Sequence, residues 1–142
     1  MRIAVGSDEA TPLTDAVLAD LRARGHDVVV VGPPGGGTEE WAEVGRRVGS
    51  LVADGACASG VLFCWTGTGA SIAANKVRGV RAALCGDAVT AAGARRWNDA
   101  NVLVISLGAT SIPVAVEMLD AWFATDPDPG EAANIARLED GA

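Results

Sequence analysis

The chain is poor in histidine, tyrosine and positive charge. A single histidine among 142 residues leaves no set of imidazoles for a His-built zinc centre and withholds the usual general base from almost the whole chain. Lys and Arg number 11 against 18 Asp and Glu, for a net charge of −7 and a pI near 4.5. There is no basic excess to neutralise phosphodiesters, so no nucleic-acid partner is expected, and an acidic membrane surface would repel the chain as well. The longest apolar runs, such as Val28 to Val31 and Gly60 to Cys64, fall far short of the roughly 18 residues that a membrane span needs. No charged start followed by an apolar stretch and a cleavage site opens the sequence, and a cytoplasmic location is expected. Three cysteines, an odd number without a secretion signal, fit free thiols in a reducing compartment. What is present in excess is tryptophan, which supplies four of the six aromatic residues.

The length is that of one domain, residues 1–142, able to bury roughly two-thirds of its unfolded surface in one core. Five short apolar runs, Arg2 to Gly6, Asp27 to Gly32, Gly60 to Cys64, Arg81 to Cys85 and Asn101 to Leu107, are bounded by Gly, Asn or Asp and predict buried strands. Between and after them, Leu13 to Arg24, Trp41 to Val52, Ser71 to Lys76, Ala88 to Trp97 and Ile112 to Phe123 carry helical spacing, the first stopped by Gly25. Strands apolar throughout, each followed by a helix, call for a parallel sheet covered on both faces, a doubly wound α/β domain. Pro33 to Gly37 predicts a turn. After Trp122 the composition shifts to TDPDPG, and the tail, 126–142, is expected to add a helical turn or two and to dock on a second copy of the chain.

In open parallel sheets ligands sit beyond the carboxyl ends of the strands, so the strand-to-helix turns carry the candidate chemistry. The most informative is Cys64-Trp65-Thr66-Gly67-Thr68-Gly69-Ala70-Ser71, which sets a thiol at a strand end and then glycines and hydroxyls leading into a helix. Backbone N–H groups and a positive helix end there would receive an anion. It is not a phosphate-binding P-loop, because no Gly-Lys-Ser/Thr follows Gly67 at the required spacing. Nor is it a dinucleotide fingerprint, because Ile72 stands where a third glycine or an alanine belongs. The helix end favours thiolate at Cys64, whereas Cys57 and Cys85 fit inert packing.

The run Cys64 to Val77 (CWTGTGASIAANKV), with Gly79 to Cys85 (GVRAALC), Asn98 to Leu103 (NDANVL), Ile3 to Asp8 (IAVGSD), Gly25 to Val28 (GHDV) and Asp120-Ala121-Trp122, closely resembles the type B ribose-5-phosphate isomerases and their galactose-6-phosphate isomerase relatives. The resemblance covers nearly the whole chain. It implies a three-layer, Rossmann-like, five-stranded parallel sheet, homodimers with sites shared between subunits, and interconversion of an aldose phosphate and a ketose phosphate through an enediolate. No metal or organic cofactor is implied. Carried over by position, Cys64 is the base and the backbone N–H groups of Gly67, Thr68, Gly69, Ala70 and Ser71 line the anion hole, with Thr66 in reach. Asp8 and Asn98 then contact sugar hydroxyls.

The departures bear on the substrate. Glu9 stands where the resembled enzymes place a phosphate-binding histidine, Trp97 where they place the ring-opening histidine, Trp41 for an active-site tyrosine and Trp65 for a glycine. Ala133 and Asn134 replace an arginine and a histidine of the tail, while Arg137 survives as a second arginine. His26, the sole histidine, matches a turn remote from the site and is expected to be a solvated loop residue. Glu9 facing a phosphate would be unfavourable by roughly a few kcal/mol, so it either hydrogen-bonds sugar hydroxyls or lies beside the first helix's N-cap. A tetrose 4-phosphate cannot close a furanose and needs no ring-opening acid. The leading expectation is therefore an isomerase of a small open-chain sugar phosphate, with an unphosphorylated sugar or an inactive sugar-binding module as alternatives. The three extra indoles, Trp41, Trp65 and Trp97, would narrow the pocket, in keeping with a shorter sugar; the alternative for Trp41 and Trp97 is packing or a dimer contact. Cys64, Asp8, Trp97 and Asn98 are expected in one cleft, with Arg137 arriving from the partner.

Overall fold

The five apolar runs become strands of one sheet: β1 (Arg2–Ser7), β2 (Asp27–Val31), β3 (Ser59–Cys64), β4 (Ala82–Leu84) and β5 (Val102–Ser106). All pairings are parallel, in the order β2-β1-β3-β5-β4. The computed structural model describes residues 1–139, and the last three residues of the expected tail, 140–142, lie outside the described residues. Six helices accompany the strands: α1 (Pro12–Ala23), α2 (Trp41–Ala53), α3 (Thr68–Asn75), α4 (Ala88–Asn98), α5 (Ile112–Ala124) and the short α6 (Ala132–Arg137). Pro33–Gly35 and Pro129–Glu131 form single 3-10 turns.

Strand alternation distributes the core over two faces. Ile3 and Val5, Val61 and Phe63, and Leu103 and Ile105 point toward α1, α4 and α5, while Ala4, Leu62 and Val104 point toward α2 and α3. The result is three layers. On α1, Leu13, Val17, Leu18 and Leu21 form the buried stripe, and full burial of a side chain such as Val17 or Leu21 contributes roughly 1.5–3 kcal/mol. Thr11 caps this helix and Pro12 opens it, as the missing N–H of proline permits at that position. No helix among the described residues is long and apolar enough to cross a membrane.

Two boundaries differ from the sequence reading. The third helix begins at Thr68 rather than Ser71, because Gly67 takes φ 81° and turns the chain straight from strand to helix. The fourth strand shrinks to three residues. It is an edge strand with β5 as its only neighbour, and its start is tied by the Asn101 side chain, whose Oδ1 accepts from the Arg81 N–H at 2.7 Å. The described part of the tail returns to its own chain, where α6 packs against α4.

The first three strands create the crevice. From β1 the chain moves outward to β2, then crosses back to place β3 on the other side of β1. Loops leaving β1 and β3 therefore diverge to opposite faces, the arrangement that opens a ligand-sized gap at the carboxyl edge.

Candidate active site

Ser7 pairs in register with Phe63, so the residues that follow, Asp8 and Cys64, emerge side by side at the carboxyl edge. They share a cleft of about 300 Å³ with Trp41, Trp65, Thr66, Thr68 and Gly69. Cys64 ends β3 on the α2/α3 side of the sheet with 5% of its surface exposed. Asp8 is half-buried, and its Oδ1 is buried without a hydrogen-bond partner. A desolvated carboxylate oxygen with no donor is costly, by roughly 1–3 kcal/mol or more, and such an atom in a cleft marks the place of a missing donor.

The loop after Cys64 is built to leave amides open. Gly67 is the N-cap of α3, and no side chain caps that helix. A Cβ on Gly67 would collide only with the movable end of the Leu84 side chain, so it is the left-handed turn, φ 81°, that demands glycine. The first bond of the helix is donated by the Ser71 N–H to the Gly67 carbonyl at 3.1 Å. The Thr68 N–H donates to Thr66 Oγ1 at 3.4 Å, and the other amides of this first turn carry the positive partial charge of the helix end. Thr66 and Thr68 join hydroxyl to hydroxyl at 2.8 Å. The loop is braced by the turn after β5: the Trp65 carbonyl accepts from Ser106 Oγ at 2.7 Å and from the Gly108 N–H at 2.9 Å.

Of the residues expected here, Asp8, Trp41, Cys64, Thr66, Thr68 and Gly69 line the cleft. Gly67 lies buried beneath it, Ala70 is part of the core under α3, and Ser71 serves the first helical turn. Glu9 is exposed and is not a helix cap. Its N–H donates to Ser7 Oγ at 3.2 Å and its carbonyl accepts from that hydroxyl at 2.6 Å, while Thr11 caps α1.

The expectation of one cleft holding Cys64, Asp8, Trp97 and Asn98 does not hold within a single chain. Trp97 and Asn98 close α4, which runs back against the strand direction and so ends at the amino edge of the sheet. They line a separate cleft of about 200 Å³ with Asn134 and Ile135 of α6. Arg137, also on α6, donates to Asn134 Oδ1 at 3.2 Å. His26 lies far from Cys64 as expected, in the turn before β2, but it is half-buried rather than freely solvated. Its ring centroid is 4.7 Å from that of Phe123, and Nδ1 is 3.1 Å from the terminal amine of Met1. Burial, then the positive charge of that amine, lowers its pKa.

Cys57 and Cys85 behave as packing residues. Both are about 2% exposed, and burial raises the Cys57 thiol and pushes Cys85 up to about 11. Trp65, expected as a third indole that narrows the pocket but not named as a substrate contact, walls the cleft with 65% of its surface exposed. A bulky indole directly after the thiol, where the resembled enzymes have glycine, was the available signal.

The chain matches the Ribose/Galactose Isomerase family over residues 3–139. It is 33% identical to the ribose-5-phosphate isomerase B of Escherichia coli K12 over 91% of this chain and 87% of that one. It is 32% identical to the D-erythrulose-4-phosphate isomerase of Pectobacterium atrosepticum over 94% and 89%. Among solved structures, ribose-5-phosphate isomerase B of Clostridium thermocellum superposes with a TM-score of 0.91 at 32% identity, covering 98% of this chain and 95% of that one. A match along nearly the whole sequence, joined to the same fold, shows that the chain belongs to the Ribose/Galactose Isomerase family.

Proposed function

We propose that this protein interconverts an aldose and a ketose form of a small sugar phosphate through an enediolate, with Cys64 as the base. The observation that carries the reading is the meeting, in one cleft, of the Cys64 thiol, the unpartnered Asp8 Oδ1 and the uncapped start of α3. As thiolate, Cys64 takes the proton from the carbon beside the carbonyl. The C–H pair of electrons forms the carbon–carbon double bond, and the carbonyl oxygen takes up the charge. Amides at the start of α3 and the hydroxyls of Thr66 and Thr68 stabilise that oxyanion. The hydroxyl on the deprotonated carbon then passes its hydrogen to the charged oxygen, and as that hydroxyl oxygen becomes the new carbonyl the double-bond electrons take the proton back from Cys64 at the neighbouring carbon, which completes the exchange. Asp8 accepts a hydroxyl hydrogen of the substrate and so fills the vacancy at Oδ1.

Phosphate recognition is assigned to a second copy. No Lys or Arg lines the Cys64 cleft, and Arg137 lies beside Asn98 and Trp97 at the other edge of the sheet. A homodimer that sets this edge against the partner's cleft supplies a cation for the phosphate and Asn98 for a hydroxyl. With Trp97 in place of an acid for ring opening, the fitting substrate is open-chain, as a tetrose 4-phosphate must be. A lining with a carboxylate and without a cation equally favours a second reading, an unphosphorylated sugar. Three free, buried cysteines support work in a reducing cytoplasm.

The test is proton exchange in deuterated water, followed by NMR, with erythrulose 4-phosphate, ribose 5-phosphate and unphosphorylated pentoses. Exchange beside the carbonyl of a sugar phosphate is expected, and Cys64→Ala should slow it roughly 10²–10⁴-fold. Exchange unaffected by that substitution would overturn the base, and exchange with the unphosphorylated sugars alone would establish the second reading. Arg137→Ala should raise KM for a phosphorylated substrate with little change in kcat.

A further inference from the structure

Both aromatic walls of the cleft rest on glycine. A Cβ built on Gly69 would stand 2.9–3.3 Å from three atoms of the Trp41 ring, and one built on Gly108 would stand 2.8–3.1 Å from Cε2, Cζ2 and Nε1 of Trp65. Trp65 is the more unusual of the two. Its indole is 65% exposed, so burial does not hold it. It is placed instead by the two hydrogen bonds to its carbonyl and by the flat seat that Gly108 provides. Trp65 lines the cleft and Gly108 does not, so the ring stands between the cavity and the turn after β5, directly next to the thiol in sequence. The cavity it bounds, about 300 Å³, is at the small end of ligand sites.

Resting on the isomerase reading above, we infer that Trp65 on its Gly108 seat is the specificity-determining residue for carbon-chain length, admitting a four-carbon open-chain sugar phosphate and obstructing a five-carbon one. Gly108 blocks the ring's movement toward the turn after β5, so the ring yields space only by leaving its seat for solvent. A substrate longer by one CHOH group must displace an indole anchored at its own backbone. Discrimination by a single carbon in a shaped pocket is worth about tenfold or somewhat more.

The experiment uses two polyol phosphates that lack a carbonyl and cannot react, erythritol 4-phosphate and ribitol 5-phosphate, titrated calorimetrically into the full-length protein. The wild type should bind the four-carbon ligand at least about tenfold more tightly. Trp65→Ala should bring the two affinities within about threefold by gaining affinity for the longer ligand, and Trp65→Phe should fall between. Gly108→Ala keeps the indole and pushes it into the cleft, so both ligands should weaken, the longer one more. A Trp65→Ala ratio equal to that of the wild type, or a wild type that does not prefer the shorter ligand, overturns the inference. A preserved four-carbon preference that Trp65→Ala abolishes, in a protein showing no deuterium exchange with any sugar phosphate, refutes the isomerase reading while upholding the selector. Failure of the wild type to bind either ligand overturns the selector, and deuterium exchange then decides the isomerase reading by itself.

Discussion

The two edges of the sheet differ in what they leave undone. At the amino edge lies a hollow of about 410 Å³, lined among others by Ser59, Arg81, Arg95, Asp99, Asn101 and Trp122. Its polar groups are bonded to one another. Arg81 Nε donates to the Asp99 carbonyl at 2.8 Å, and Arg95 Nη1 reaches both Asp99 Oδ1 at 3.0 Å and the Ala100 carbonyl at 2.7 Å. Trp122 Nε1 donates to Ser59 Oγ at 3.2 Å, and the Arg95 guanidinium lies 5.5 Å from the Trp122 ring. The Cys64 cleft is smaller, about 300 Å³, and has more unfinished bonding: Asp8 Oδ1 without a donor, α3 without a side-chain cap, two indoles exposed. Volume alone does not single it out, since a groove along β4 and α4 holds about 540 Å³. Unmet hydrogen-bonding capacity in a cavity is the better guide to chemistry, because a folded chain keeps such groups desolvated only at a cost.

The sharpest way to break this contrast is Asp8→Asn. If Oδ1 awaits a substrate hydroxyl, the substitution should lower kcat/KM roughly 10–100-fold, the value of a hydrogen bond to a charged group, while leaving the urea midpoint unchanged or raised. A fall in stability without a fall in activity would make Asp8 a structural residue. A second comparison sets the thiols apart. Burial raises Cys85 from the ordinary 9.0 to about 11, so the unfolded chain loses this proton first as pH rises. The stability tied to it is whole below about pH 9 and is lost between about 9 and 11. Urea melts at pH 8 and 10.5 should show the wild type losing roughly 2 kcal/mol more than Cys85→Ala across that interval.

Much of the scaffold was open to reading in the residues themselves, because alternating burial on both faces leaves strands such as Val61 to Cys64 apolar throughout. Cys64 and its glycine loop were equally legible, since a thiol at a strand end followed by Gly67 and a helix implies both a carboxyl-edge position and free amides. The places where reading failed depend on direction and contact. Trp97 and Asn98 close a helix, and only the sheet order shows that the helix carries them away from Cys64. That an indole at Trp65 would narrow the pocket was legible, but its seat on Gly108, 43 positions later, was not, because no local periodicity ties an indole to a distant glycine. His26 was placed correctly at a distance from the site, but its packing on Phe123 is a tertiary contact that a turn motif does not announce.

At the amino edge the decisive substitution is Asp99→Ala. Asp99 holds two arginines and is the one non-glycine residue with positive φ, 45°, among the described residues. Because these side chains are only partly buried, the loss should be moderate, about 1–2 kcal/mol, with binding at the Cys64 cleft unchanged. Asp99→Asn should recover most of it, since asparagine tolerates the left-handed conformation and keeps an acceptor for Arg95.

The smallest effect tests whether the carboxyl edge as a whole is loosely built or only its cleft. Thr11 stands at that edge, three residues beyond Asp8, and its bonding is complete. Its Oγ1 accepts from the Thr14 N–H at 3.2 Å, its own N–H donates to Thr14 Oγ1 at 2.9 Å, and its carbonyl accepts from that hydroxyl at 2.9 Å. Thr14 is fully buried and Thr11 half-buried, so the reciprocal cap is partly shielded from water. Thr11→Ala should therefore cost about 1 kcal/mol, the usual value of a lost N-cap, read as a drop in the urea midpoint at constant slope. The affinity for erythritol 4-phosphate should not move. If the affinity falls in step with stability, then Asp8 is positioned by the α1 cap. Its unpartnered oxygen would then reflect a poorly anchored turn rather than a reserved hydrogen bond, and the distinction between the two edges would narrow to the thiol and the start of α3.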